Sequence, residues 1–423
     1  MHNHAVSDGS LPTSFDQFSL SPPMRSALRA AGYLVPTPVQ AATIAPALAG
    51  RDVVGAAQTG TGKTAAFVIP IIERLRDGRL GDARAVILAP TRELAEQIFG
   101  WVQRLGRGLP AALVVGGVAY GPQVSALRRR PPIVVATPGR LIDHLDRGTL
   151  TLREVRIFVL DEADRMLDMG FKPQLERIMQ GLPAQRQTLL FSATMPERLG
   201  ALTRVHLNNP VHAAVGQRAL PPSRAAQDVY LVDRGNKTAL LLSMIDAKTD
   251  NVLVFTRTKH GTDRVTQALC RAGHAAQRLH SSRSQSQRRE ALEGFRRGRY
   301  RILVATDVAS RGIDVAGIGR VINYDLPQTV EDYVHRVGRT ARAEAAGHAS
   351  SFAAPEERGQ LRAIERHIGH PLPRQTHAAQ ALGAPASPAP PHGVPAASAS
   401  RRGAPSSFAP FRGARGRRVA RRG

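Results

Sequence analysis

The chain has 423 residues, 58 of them basic and 33 acidic, for a formal net charge of +25. That length suits two or three domains, and an apolar fraction of 42 % excludes a wholly disordered protein. A single cysteine, Cys270, excludes an internal disulfide and a Cys-rich zinc module and fits a reducing, cytoplasmic setting.

Only Lys63, Lys172, Lys237, Lys248 and Lys259 are lysines, so the excess of positive charge is arginine. A GC-rich codon preference would produce that excess. So would a polyanionic partner, because guanidinium pairs with phosphate through two parallel hydrogen bonds.

Residues 1–13 read as a loose leader without the apolar segment of a signal peptide. No run of about 18 apolar residues predicts a membrane span, so no membrane partner is expected. The body, 14–372, reads as two α/β halves. In the first, 14–215, short apolar runs stand at 53–56 (VVGA), 86–89 (VILA), 133–136 (IVVA), 157–160 (IFVL) and 189–191 (LLF). Helical patterns separate them, which predicts a doubly wound parallel sheet covered on both faces. The stretch 216–226 is polar and holds two prolines, as a linker would. In the second half, 227–372, the runs are 252–255 (VLVF), 302–305 (ILVA) and 320–323 (RVIN). From 373 to 423 the composition collapses to Ala, Pro, Ser, Gly and Arg, predicting a disordered basic tail.

In such sheets ligands bind beyond the carboxyl ends of the strands. After the first run comes Ala57-Gln58-Thr59-Gly60-Thr61-Gly62-Lys63-Thr64, a phosphate-loop pattern with Ala57 in place of the first glycine. Gly60 and Gly62 would aim backbone N–H groups at phosphate, Lys63 would reach the β and γ phosphates, and Thr64 would ligate Mg²⁺. After the 157–160 run comes Asp161-Glu162-Ala163-Asp164. Asp161 suits a hard cation, and Glu162 could orient or deprotonate an attacking water. Other strand ends carry PTREL (90–94), TPGR (137–140), SAT (192–194) and TDVASRGID (306–314). Their hydroxyls, backbone N–H groups and single arginines can grip a sugar–phosphate chain without reading bases. In HRVGRTAR (335–342) the arginines at 336, 339 and 342 would share one helical face, suited to an arginine-finger role.

This ordered set, with GYLVPTPVQ (32–40), the Gly116-Gly117 pair and VFTRTK (254–259), resembles the DEAD-box RNA helicases of superfamily 2. The stretch LDEADRMLDMGF (160–171) and the arginine-rich tail look like the bacterial RhlE-type subgroup. The resemblance implies two tandem RecA-like domains, ATP with Mg²⁺, and RNA as partner. It implies that Gln40 reads the adenine edge, Tyr33 stacks on the base with Phe15 in support, and Asp314 holds the ribose. Arg339 and Arg342 would reach the γ-phosphate, and His335 would link to the acidic motif. Arg92, Gly117, Thr137, Gly139, Arg140 and Thr306 would bind RNA, while Ser192 and Thr194 would couple hydrolysis to strand separation. Ala57 is the residue this family has at its position, whereas Ala341 and Ser281 stand where glycine is commoner. A DNA-directed motor and an ATP-switched RNA clamp remain rival readings of the same residues.

Overall fold

Apolar runs without polar interruption become strands buried on both faces, since a parallel sheet is covered above and below. The computed structural model describes residues 11–57, 61–76, 81–195, 197–214, 225–245, 251–310, 318–340 and 347–376. The first half forms β1 Val53–Ala56, β2 Ala85–Leu88, β3 Ala111–Val114, β4 Ile133–Ala136, β5 Ile157–Leu160, β6 Gln187–Ser192 and β7 Val211–Ala214. They pair in parallel in the order β3-β4-β2-β5-β6-β1-β7. The second half forms β8 Ala225–Leu231, β9 Asn251–Phe255, β10 Ala276–Leu279, β11 Ile302–Ala305, β12 Ile318–Asn323, β13 Gly347–Ala353 and β14 Arg374–Gln375. These too are all parallel, in the order β10-β11-β9-β12-β13-β8-β14. Counted from its own first strand, the second sheet repeats the order of the first. The fold is two RecA-like domains in tandem.

Alternate residues of each strand enter different cores. Ala85 and Ile87 pack with helices Pro38–Leu48, Lys63–Arg74 and Arg92–Leu105, whereas Val86 and Leu88 join the opposite core. Several strands lacked a clean apolar run. β7, β10 and β14 are sheet edges, as is the short apolar β3. β8 and β13 lie inside the sheet but carry buried polar residues, Asp228, Ser350 and Ser351. Asp228 accepts from the His348 ring at 2.9 Å, and Tyr333 donates to Gln227 at 2.8 Å.

Two boundaries differ from expectation. Composition puts the linker at 216–226, but Ala225 and Ala226 belong to β8, where they pair with Gly347 and His348 of β13. Residues 216–224 lie outside the described residues. Composition puts the tail at 373–423, yet the Pro373 carbonyl accepts from the Val229 N–H at 2.9 Å, and Arg374 and Gln375 pair with β8. The backbone of β8 has an open edge at this point, and this segment satisfies it. Residues 377–423 lie outside the described residues. Among the described residues no helix is long and apolar enough to cross a membrane.

Candidate active site

β1 delivers the chain to helix Lys63–Arg74, whose N-cap is Gly62 at φ +89°. A Cβ there would stand 2.4 Å from Gln40 Nε2, so glycine is required for both conformation and space. Lys63 is buried, and its Nζ donates to the Ala57 carbonyl at 2.8 Å. No described carboxylate lies within ion-pair distance of it. A buried ammonium at the positive end of a helix is a site prepared for an anion. Thr61 and Thr64 are half-buried beside it, while Thr59 and Gly60 lie outside the described residues.

β5 ends against this loop and presents Asp161, buried to 2 % exposure. Burial pushes its carboxyl up to about 7, against the opposing pull of Lys63. Its Oδ1 accepts the Glu162 N–H at 3.0 Å. Glu162 adopts the left-handed conformation at φ 52°, uncommon for a residue with a Cβ. Its Oε2 accepts from Arg165 Nη1 at 2.8 Å, both side chains being buried.

Asp164 was not singled out by sequence reasoning, yet it joins two expected residues. Its Oδ2 accepts from the Thr194 N–H and hydroxyl, each at 2.8 Å, and from the Ala193 N–H at 3.2 Å. Ser192 donates to the Thr194 carbonyl at 2.6 Å. The last carboxylate of the acidic motif therefore holds the turn after β6.

Gln40 is fully buried. Its Oε1 accepts from the Thr37 N–H at 3.0 Å and its Nε2 donates to the Gly62 carbonyl at 3.1 Å, so each end of the amide is already engaged once. Phe15 is buried and meets the half-buried Tyr33 edge-on at 6.1 Å. Tyr33 meets Trp101 edge-on at 5.4 Å.

The residues expected to hold RNA lie on neighbouring strand ends. Arg92 opens helix Arg92–Leu105, and Thr137 caps helix Pro138–Asp146, which carries Gly139 and Arg140. Gly117 has φ +70°, and a Cβ there would fall 1.7 Å from Arg92 Nη1. Arg140 donates to the Val118 carbonyl at 3.2 Å. In the second domain Thr306 follows β11, its N–H bonded to the Leu279 carbonyl at 3.2 Å.

The arginine motif departs from expectation. Helix Val330–Val337 ends before Arg339, so Arg336 and Arg339 do not share a helical face. Arg336 is buried and grips Asp307 through two bonds of 2.6 and 2.7 Å, with further bonds to Asn323 and the Asp325 carbonyl. It is a structural residue of the second domain. Arg342, Asp314 and Ala341 lie outside the described residues. Arg339 and His335 line a narrow cleft with Asp307, Asp332 and Arg165. Its volume is about 10 Å³, room for about one water. Arg165 thus meets Glu162 of its own domain and lines a cleft with residues of the other.

A second bridge between the domains also escaped sequence reasoning, since nothing local marks it. Helix Gln285–Arg296 presents Arg288 to Glu93 at 2.9 Å, with side chains 13 % and 6 % exposed. The contact is a close ion pair without hydrogen-bond alignment. Arg289 meets Glu96 at 3.0 Å, and Arg92 reaches Gln285 at 3.5 Å. Ser281 is exposed and lacks a positive φ, so serine is compatible with that loop.

A phosphate loop facing a carboxylate pair on one RecA-like domain, with basic side chains supplied across a cleft by a second, defines a two-domain nucleotide-binding architecture. Residues 37–202 match the DEAD/DEAH box helicase family and residues 236–344 the helicase conserved C-terminal domain. The chain is 42 % identical over 356 residues to the DEAD-box ATP-dependent RNA helicase CshA of Bacillus licheniformis, covering 84 % of this chain and 73 % of that one. It is 43 % identical to CshA of Geobacillus kaustophilus, covering 84 % and 76 %. Among solved structures, the DEAD-box helicase Mss116 bound to ssRNA and UDP-BeF superposes with a TM-score of 0.80 at 29 % identity, covering 86 % of this chain and 79 % of that one. Dbp5 of S. cerevisiae bound to RNA and ADP BeF3 gives 0.78 at 29 %, covering 86 % and 95 %. The chain belongs to the DEAD-box ATP-dependent RNA helicases, a family of ATP-hydrolysing enzymes.

Proposed function

We propose that this chain couples RNA-stimulated ATP hydrolysis to local, sequence-independent unwinding of RNA duplexes or remodelling of RNA–protein complexes. The observation that carries the reading is the cleft shared between domains, in which Arg165, bonded to Glu162, lies among Asp332, His335 and Arg339.

The donor set suits Mg²⁺ on nucleotide phosphates. It comprises one hydroxyl (Thr64) and one carboxylate (Asp161), and the described residues hold no cluster of three or more His, Cys, Asp or Glu. When bound, the ion neutralises charge on the β and γ phosphates. Lys63 would exchange its carbonyl partner for phosphate oxygens. Glu162, freed from Arg165, would orient the attacking water and accept its proton. Arg339 and Arg342 would spread the charge that develops on the γ-phosphate. Gln40 has one N–H and one lone pair left with which to meet the adenine edge. Tyr33, Phe15, Thr59, Gly60, Thr61, Gly62 and Asp314 would complete the nucleotide pocket.

Arg92, Gly117, Thr137, Gly139, Arg140 and Thr306 would hold an RNA backbone running over both domains. RNA so bound favours the docked state, and the docked state completes the ATP site, so the two ligands bind with positive coupling. Asp164 would carry the state of the acidic motif to Ser192 and Thr194. Assignment to the RhlE-type subgroup rests on residues 160–171 and the tail, and a cytoplasmic site of action fits an RNA substrate and a lone cysteine. Residues 377–423 would act as a basic tether on RNA.

RNA-stimulated ATPase activity that survives Lys63→Ala or Glu162→Gln refutes the assigned site. Equal stimulation by single-stranded DNA and RNA would favour the DNA-directed reading. Tight ATP-dependent RNA binding without strand displacement would favour a clamp.

A further inference from the structure

Helix Pro138–Asp146 and its C-cap carry Arg140, His144 and Arg147 at i, i+4 and i+7, along one face. Tyr120, the first residue of helix Tyr120–Arg128, packs against that face. Its ring stacks on the fully buried His144 imidazole at 4.3 Å with an interplanar angle of 12°. Its hydroxyl bonds to Thr149 Oγ1 at 3.0 Å, which also meets His144 Nδ1 at 2.8 Å. Both rings are thereby fixed in place. Burial, with Arg140 nearby, holds the imidazole below its usual pKa, so the inner ring stacks as a neutral species.

Over the tyrosine lies the Arg147 guanidinium, 4.5 Å from the ring centroid, with Arg140 at 5.7 Å. The imidazole occupies one face of Tyr120, which leaves the other to Arg147. Arg140 is tied to Asp143 at 3.4 Å and to the Val118 carbonyl. Arg147 is exposed and makes no ion pair among the described residues. An exposed guanidinium backed by two aromatic rings is a surface on which an unpaired nucleobase stacks. The stack stands three residues after Gly117 and on the same helix as Arg140, so it adjoins the backbone grip.

We propose that Arg147, seated over the Tyr120–His144 stack, is a stacking platform for one unpaired base of the RNA strand just beyond the backbone-gripping residues. The proposal rests on the RNA reading above. It adds a base contact to a grip otherwise confined to sugar and phosphate.

The test uses the full chain with a non-hydrolysable ATP analogue and single-stranded RNA carrying 2-aminopurine at successive positions. One position at the edge of the footprint should be quenched by the parent protein. Arg147→Ala should abolish that quenching and weaken binding roughly 5- to 150-fold, the range for loss of one stacked base. Arg147→Lys keeps the charge but not the plane, and should fail to restore either. Tyr120→Phe should behave as the parent, and Tyr120→Ala as Arg147→Ala. RNA abasic at the quenched position should bind the parent weakly and be indifferent to Arg147→Ala. Full rescue by Arg147→Lys would reduce the site to a phosphate contact and overturn the platform. Unchanged binding and quenching in Arg147→Ala would overturn it as well, leaving the RNA reading intact. Absence of RNA binding by the parent would sink both. Arg147 is exposed, so its variants should melt with the parent, which separates these outcomes from misfolding.

Discussion

Arg288→Ala removes the most buried charge pair that spans the two domains among the described residues. Glu93 is 6 % exposed in the docked arrangement, so truncating its partner leaves a carboxylate dry and unpaired. Breaking a fully buried pair costs about 3–5 kcal/mol. Here the domains can separate and wet Glu93, so the cost should appear as a bias of about 2–4 kcal/mol toward the open form. At 1.36 kcal/mol per factor of ten, that is roughly 30- to 900-fold in the open-to-docked ratio. RNA that needs the docked form must then work against that bias, and its apparent affinity falls by the lost docked fraction. The concentration of RNA giving half-maximal ATPase should rise about tenfold or more, while kcat at saturating RNA stays within about threefold. Single-molecule energy transfer between labels on the two domains should report fewer docked molecules without RNA. A double-mutant cycle with Glu93→Gln should return a coupling of at least about 1 kcal/mol. A half-saturating RNA concentration within about twofold of the parent, less than about 0.4 kcal/mol, would show that the 2.9 Å contact does not hold the domains together.

Gly117→Ala places a methyl where Arg92 Nη1 stands and forces a left-handed backbone on alanine, at about 1–2 kcal/mol. RNA affinity should drop with RNA-free ATP binding unchanged, as filter binding and nucleotide titration would reveal. Arg336→Met strips Asp307 and Asn323 of their guanidinium bonds and should destabilise the second domain by about 3–5 kcal/mol, a fall of about 10 °C in calorimetry. Lys63→Ala should lower kcat by a factor of about 100 or more while leaving the melting temperature near that of the parent. Asp161, pushed up to about 7 by burial, is increasingly protonated as pH falls through that value and then cannot ligate a cation. Apparent Mg²⁺ affinity at saturating ATP should therefore weaken from pH 8 to pH 6, which titration of ATPase activity with Mg²⁺ will show; a flat profile would contradict the burial argument.

Much of this molecule is written locally. A run such as IFVL followed by Asp161-Glu162 specifies a buried strand and places carboxylates at its end, because both depend only on neighbours in the chain. The phosphate loop, the acidic motif and the strand-end threonines were legible for that reason, as were the two α/β halves. The common strand order of the two sheets was not, since a parallel strand pairs across a crossover whose partner leaves no mark on either segment. Nor could spacing single out Arg336 from Arg339: both are arginines at a helical interval and both are buried beside the cleft, and only the bonds of Arg336 to Asp307 and Asn323, distant in sequence, mark it as structural. The pairing of Arg288 with Glu93, and the layering of Arg147 on Tyr120 and His144, join residues from separate helices. Chain-local chemistry determined what each strand end can bind. The long-range packing of helices against two sheets decided which of those groups meet.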